Sequence, residues 1–284
     1  LSNQNGTFSE IGQIAGVSNT DWSWSALLAD YDNDGWKDLF ISNGYLRDYT
    51  NMDFIKYMEN YVQQKGRLQR EDVLEIIKQM PASNVSNYIF KNTANTSFTD
   101  ASKAWGIQTP SNSNGAAYAD LDNDGDLDLI ANNINQPAFI YKNTSEKKSG
   151  FLEIDLKGAE KNTQGLGAKV IAYSKSGTQI LEKYTARGYL SAVSGLLHFG
   201  LGENTKIDSI TVIWNSGKSQ SIANPPINKK LVLEEKNANT IYRFETPKAK
   251  PVFAEVKSPL NYIDPKSNFN DFERQLLLVN QLSY

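Results

Sequence analysis

The side chains of this chain that are best placed to do chemistry are aspartates. They crowd the stretch Asp30-Tyr31-Asp32-Asn33-Asp34-Gly35-Trp36-Lys37-Asp38 and recur in Asp120-Leu121-Asp122-Asn123-Asp124-Gly125-Asp126-Leu127-Asp128. Each copy sets aspartate at loop positions 1, 3, 5 and 9 and glycine at position 6. Carboxylates at this density repel one another unless a cation lies among them. Calcium takes about 6–8 oxygens at about 2.3–2.6 Å, and a glycine permits the sharp bend that lets the side chains converge. The residue at position 7, Trp36 or Asp126, offers its backbone carbonyl. The expectation is two Ca2+ sites: Asp30, Asp32, Asp34, Trp36 and Asp38 in one, Asp120, Asp122, Asp124, Asp126 and Asp128 in the other. The bland alternative is a solvated acidic turn, and two copies with the full spacing weigh against it.

The loops are not EF-hands, which need a glutamate at position 12 and a helix on each side. Position 12 is Ile41 in one copy and Ala131 in the other. The flanks 24–29, 39–42, 117–119 and 129–130 read as short strands. Each loop therefore joins two strands and pins their geometry.

Other reactive constellations are weak. The aspartates could act as the paired carboxylates of a glycosidase, but their repetition in equivalent places favours metal. The single histidine, His198, lies between Leu197 and Phe199 and reads as a packed strand residue. Gly165-x-Gly167 lacks the third glycine of a dinucleotide loop and reads as a turn. Trp22, Trp24 and Trp36 could stack on a sugar, with core packing at least as good a reading of Trp24. The chain is expected not to be an enzyme.

Internal repetition places these loops. Phe8 matches Phe98, Gly16 matches Gly106 and Asp30 matches Asp120, at a constant offset of 90 residues. Tyr88-Ile89-Phe90-Lys91-Asn92 matches Phe139-Ile140-Tyr141-Lys142-Asn143 at an offset of 51, and the difference sizes an insertion after the first loop. A unit of about 50 residues of strands and turns suits a four-stranded propeller blade. The offset also places Leu1 inside a blade. The insertion reads as a helical hairpin, with a cap at Thr50 or Asn51, a stop at Gly66, and a second helix from about Arg70 to Pro81. From Phe151 the texture changes to short alternating strands, at 151–156, 169–174, 179–186, 209–214 and 231–234. The expected organisation is all-β. Partial propeller blades span 1–149, with the helical insertion over 45–83. A small β-sandwich-like domain follows over 150–237, and then a proline-punctuated linker over 238–284 that leads to a further domain.

The chain has 284 residues, 39% of them hydrophobic, enough to bury a sizeable core. Its net charge of −3, with no basic run, argues against nucleic acid. It has no cysteine, so calcium would take the place of disulfides as a staple. No apolar run is long enough to span a membrane.

The repeats resemble FG-GAP/VCBS repeats, the calcium-binding blades also found in integrin α-subunits. The resemblance rests on Phe8 and Phe98 ahead of the Asp-x-Asp-x-Asp-Gly-x-x-Asp loops. Four ordered motifs, Gly165-Leu166-Gly167-Ala168-Lys169-Val170, Arg187-Gly188-Tyr189-Leu190-Ser191, Leu197-His198-Phe199-Gly200-Leu201-Gly202 and Val212-Ile213-Trp214-Asn215-Ser216-Gly217, resemble the ASPIC/UnbV domain. The insert and Asp21-Trp22-Ser23-Trp24-Ser25 resemble a version seen in large bacterial surface proteins of the Bacteroidota type. The resemblance implies a non-catalytic, calcium-stabilised binding or adhesion module of a larger secreted or surface protein, extracellular or on the outer-membrane surface. Its implied partners are a protein or glycan ligand and the remaining blades of the same protein. The alternative is a carbohydrate-binding or carbohydrate-active component of a glycan-uptake system.

Overall fold

The computed structural model describes residues 2–4, 7–83, 85–94, 96–145, 149–204, 206–243 and 257. Most of the stretch read as a linker, from 244 on with Lys257 excepted, lies outside the described residues. Residues 1–242 form one compact unit. Its secondary structure is mostly β-strands in several sheets with few helices, as the all-β reading expects.

The first strands, β1 (Ser2–Gln4) and β2 (Thr7–Ser9), pair as a hairpin, and a single helical turn, α1 (Gly12–Ala15), follows. A four-stranded antiparallel sheet is then built from β3 (Ser23–Ala29), β4 (Asp38–Asn43), β5 (Tyr88–Asn92) and β6 (Phe98–Asp100) in sequence order. The next sheet repeats the first three of these as β7 (Ser113–Ala119), β8 (Asp128–Asn133) and β9 (Phe139–Tyr141). The repetition reaches into detail: the pairing register slips between Ser23 and Ala26 and again between Ser113 and Ala116, at the same offset of 90. Alternation along β3 sends Leu27 and Ala29 inward, where they pack with Phe40, Ile89, Ala116, Leu129 and Ala131 in one core shared by both sheets.

Between β4 and β5 the chain makes a helical hairpin, α2 (Met52–Lys65) and α3 (Arg70–Gln79). Asn51 caps α2, its carbonyl oxygen accepting from the amides of Asp53 and Phe54 at 3.1 and 3.0 Å. Gly66 ends α2 at φ +71°. Gln69 and Asp72 cap α3 reciprocally. The helices are tied by Tyr61, whose hydroxyl donates to Asp72 at 2.9 Å, and by the Lys65–Asp72 ion pair at 3.0 Å. At the base of the hairpin Tyr45 and Ser83 exchange backbone hydrogen bonds.

The remaining strands are β10 (Gly150–Lys157), β11 (Lys169–Ser174), β12 (Gly177–Glu182), β13 (Leu197–Gly202), β14 (Ser209–Ile213), β15 (Lys218–Ala223), β16 (Lys229–Glu234) and β17 (Thr240–Ile241). They form a three-stranded sheet in the order β13-β10-β16 and a five-stranded sheet in the order β12-β11-β14-β15-β17. Side chains from both sheets, among them Leu152, Ile154, Val170, Phe199, Ile210 and Val212, fill a single core between them. The strand read over 179–186 stops at Glu182; the next residue, Lys183, still bonds the chain just before β11, its amide donating to Ala168 O and its carbonyl accepting from Gly167 N. Gly165 and Gly167 lie in a turn, as read.

Phe199 is fully buried, so Phe199→Ala is expected to cost about 3–5 kcal/mol in urea unfolding. Asn51→Ala, which removes only a helix cap, is expected to cost about 1 kcal/mol. A Phe199→Ala cost within experimental error would contradict this placement of the core.

Candidate metal centres

Each aspartate loop connects the first two strands of its sheet, β3 to β4 and β7 to β8. The pairs Ala29–Asp38 and Ala119–Asp128 close the loops at their base. Within the first loop, both carboxylate oxygens of Asp30 accept from the loop backbone, from Asp34 N at 3.1 Å and Gly35 N at 2.8 Å. Asp120 repeats both bonds, to Asp124 N at 3.1 Å and Gly125 N at 2.9 Å. Asn33 and Asn123 take left-handed φ values of 57° and 58°, and Gly35 and Gly125 take 95° and 92°. These turns fold the carboxylates back on one another. Oxygens of Asp30, Asp32 and Asp38 lie within 4.8 Å of each other, as do those of Asp120, Asp122 and Asp124.

These are two acidic clusters that could hold a metal ion. Asp34 and Asp128 belong to the same loops but not to those convergent triplets. The Asp34 carboxylate accepts from Trp36 N at 2.9 Å, and Asp128 accepts from the amides of Leu121 and Asn143 at 3.0 and 2.7 Å. Asp126 turns its carboxylate to the other loop, where Asn33 Nδ2 donates to it at 2.8 Å. That leaves the Asp126 backbone carbonyl as its offer to a metal, the role expected of position 7. Trp36 is half exposed on the first loop.

The electrostatics fit a bound cation. Burial drives the Asp30 carboxyl up to about 8 against its backbone bond to Gly35, with the neighbouring aspartates adding to the rise. Burial likewise raises Asp38 to about 7, with Asp32 and Asp34 contributing. Two lysines already sit on the carboxylates. Lys91 Nζ bonds Asp32, and Asp34 at 2.9 Å; Lys142 Nζ lies 2.5 Å from Asp122. Burial opposes the charge on Lys91, but its bonds to Asp32 and Asp34 outweigh that and raise it above the usual lysine range. The bond to Lys142 lowers Asp122. A donor set of carboxylates and a carbonyl with no nitrogen or sulfur suits a hard ion such as Ca2+.

The offset-51 match acquires a physical meaning here. A Lys-Asn pair on the third strand of the first sheet, β5, and another just after the third strand of the second, β9, clamp the loops. Asn92 N donates to Asp38 at 2.9 Å and its side-chain amide to Lys37 O at 3.0 Å. Asn143 N does the same to Asp128, and its amide reaches Leu127 O at 3.2 Å and Tyr31 O of the first loop at 2.6 Å. The repeat signalled these residues in the sequence, but their role as clamps needs the paired strands to be seen.

Asn33 is the residue that sequence reasoning missed most fully. It is almost entirely buried. Its amide nitrogen donates to Gly125 O at 3.0 Å and to Asp126, so its Oδ1 is left to accept from His198 Nε2 at 2.6 Å. Its backbone carbonyl accepts from Gly202 N at 2.8 Å. The first loop is thereby bonded at once to the second loop and to β13. His198, on β13 as expected, is packed beside Phe151, with ring centroids 5.9 Å apart. Its Nδ1 lies 3.8 Å from the buried Glu153 carboxylate. The approach is close enough that any side chain at Gly200 would run into the Asp30 carboxylate, and one at Gly125 into the Phe151 ring. Asn123, the counterpart of Asn33, is exposed.

Comparison with known proteins defines the class. An FG-GAP-like repeat model matches residues 1–41 and 70–131, and an ASPIC and UnbV model matches residues 158–240. The chain thus carries FG-GAP-like repeats followed by an ASPIC and UnbV domain, as its motifs indicate. The repeat match breaks over the residues that hold Tyr45 to Gln69, where α2 interrupts the sheet. Among individual proteins, the chain is similar to cartilage acidic protein 1. It is 33% identical to the Xenopus tropicalis protein over 123 residues, covering 41% of this chain and 19% of the relative. It is 31% identical to the Mus musculus protein over 137 residues, covering 44% and 21%. The chain therefore spans about a fifth of the length of the curated relatives it matches.

Two outcomes are expected. A carboxyl raised from 3.8 to about 7–8 binds a proton on folding, so its favourable contribution is present at low pH and is lost as pH rises through that window. The metal-free protein should lose stability between about pH 5 and 8, and Asp30→Asn should flatten that slope in thermal unfolding; a slope unchanged by the variant would contradict it. Second, Asn33→Ala should cost about 2 kcal/mol or more beyond Asn123→Ala, because it strands buried His198 Nε2 and removes the bonds to Gly125 O and Asp126, while the two positions share the same backbone. Equal costs in urea unfolding would remove Asn33 from its bridging role.

Proposed function

We propose that this chain is a non-catalytic, calcium-stabilised binding module of a larger extracellular protein. Its two aspartate loops each hold one Ca2+ as a structural ion, with Asp30, Asp32, Asp34, the Trp36 carbonyl and Asp38 serving one site. Asp120, Asp122, Asp124, the Asp126 carbonyl and Asp128 serve the other. The observation that carries this reading is the convergence of three carboxylates in each of two equivalent loops, at positions that join paired strands. Catalysis by a metal needs an open coordination position beside a base or nucleophile. The single histidine instead spends Nε2 on Asn33, the first loop is packed against β13, and Gly125 of the second lies against Phe151 of β10.

An extracellular setting supports the calcium assignment, since calcium is abundant there and the chain has no cysteine to form disulfides. No helix among the described residues is long and apolar enough to cross a membrane. The partial blades would pair with further blades of the same protein, and the exposed faces would meet a protein or glycan ligand. Association with the outer-membrane surface fits the bacterial resemblance of the insert.

Calcium titration tests the assignment. Two ions should bind per chain, and Asp32→Ala or Asp122→Ala should each abolish one and spare the other. Magnesium should substitute poorly, because it demands compact octahedral geometry and dehydrates reluctantly. Unchanged stoichiometry in both variants would refute the proposed sites.

A further inference from the structure

Opposite the aspartate loops, at the other ends of β3 and β4, lies a groove of about 580 Å3. That is within the roughly 300–1,000 Å3 of small-ligand clefts. Three parts of the chain that are far apart in sequence build it. The exit of β4 supplies Tyr45 and Arg47, the second sheet supplies Asn114 and Asn132, and the 189–191 turn of the ASPIC and UnbV domain supplies Tyr189. That turn is seated by Ser25, whose hydroxyl accepts from Tyr189 N at 2.8 Å and from Ala116 N at 3.1 Å. The groove therefore exists only when the repeats and the following domain are docked.

Its aromatic wall is fixed in advance. The Trp24 indole N–H donates to Gly44 O at 2.8 Å, and the Trp24 ring lies 4.7 Å from Tyr189 and 6.4 Å from Tyr45, centroid to centroid. Trp22 stacks behind Tyr45 at 4.4 Å with an interplanar angle of 14°, which holds that ring in place. Ring faces of this kind carry negative potential and meet the C–H face of a pyranose. The polar wall is available: the side chains of Asn114 and Asn132 make no hydrogen bond among the described residues. Among the described residues, Arg47 is the only charged one lining the groove. Its guanidinium is exposed, bonds the Ile77 carbonyl at 3.1 Å, and forms no ion pair among the described residues. A planar, unpaired guanidinium beside free amides and aromatic faces selects a carboxylate on a sugar, with donors left over for the bidentate pairing that guanidinium favours.

We infer that this groove is a binding site for an acidic oligosaccharide, a glycan containing uronic acid. The uronate carboxylate lies on Arg47 and a sugar ring lies against Trp24 and Tyr189. The inference rests on the reading of the chain as a binding module and specifies its ligand.

Titration calorimetry on the calcium-loaded chain tests it. The probes are glucuronate- and galacturonate-containing tri- and tetrasaccharides and their carboxyl-reduced, uncharged counterparts. Saturable binding of at least one acidic probe, at least tenfold tighter than its reduced counterpart, is expected. Arg47→Gln should erase that preference, and Tyr189→Ala should weaken binding at least tenfold. Arg47→Gln leaves the aromatic wall and the core untouched, so its result stands even if Tyr189→Ala disturbs the docked turn. Absence of saturable binding to every acidic probe, equal affinity for charged and reduced sugars, or indifference to Arg47→Gln would overturn the inference. A calcium-dependent rise in melting temperature, measured alongside, separates the two readings. If it is present while the sugars fail, only the ligand is wrong; if it too is missing, the calcium-stabilised module falls with it.

Discussion

Negative charges that the fold forces together are the constraint on which the rest of this structure depends. Asp30 and Asp38 are buried at the base of their loop with Asp32 beside them, and burial raises the Asp30 and Asp38 carboxyls far above their ordinary values. Backbone amides of the same loop answer part of that charge, and Lys91 answers another part. What remains is a deficit of positive charge at a point bounded by oxygens. A divalent cation would answer it, and the left-handed asparagine and the glycine bend the backbone so that the carboxylates converge on one point. The second loop reaches the same arrangement with more exposed carboxylates, so its cost without metal is smaller.

The loops also serve as joints. Lys-Asn pairs on β5 and just after β9 bind each loop to the third strand of its sheet, and Asn143 reaches across to the first loop. Asn33 carries the connection from the two loops to β13 and so to the sandwich core. The geometry is tight enough that glycine is required on both sides of the contact, at Gly125 and Gly200. Order in the metal loops is therefore order in the docking of the ASPIC and UnbV domain onto the repeats. The aromatic groove at the far ends of β3 and β4 is a second place where the same two parts meet, through Ser25 and the 189–191 turn.

Much of this was legible in the sequence. The offset of 90 foretold two related sheets, because a repeated hydrophobic pattern must bury the same positions each time, and the structure adds a register slip at the same offset. The helical hairpin was legible from its caps and its 3.6-residue periodicity, and Asn51 and Gly66 end α2 as read. The aspartate spacing announced clusters of carboxylates that could hold a metal ion, and three oxygens do converge in each loop. Contacts between residues far apart in the chain were not legible. Asn33 and Asn123 hold the same place in the same motif, and nothing local separates the buried bridge from the exposed turn. His198 was read as a packed strand residue, but its partner lies 165 positions away. Asp126 looked like its companions, and its carboxylate instead serves the neighbouring loop.

The most direct test of the central claim is hydrogen–deuterium exchange followed by mass spectrometry on the whole chain, with calcium and with chelator. β13 contributes no metal ligand, yet it is bonded to the first loop through Asn33 and packed against Asp30. Chelation should accelerate exchange in peptides covering 30–38 and 120–128 and also in those covering 197–202, while β11 and β14, on the far sheet of the sandwich, stay protected. Exchange in 197–202 that is the same with and without calcium would show that the loops do not hold the two parts together. It would contradict the account at its root.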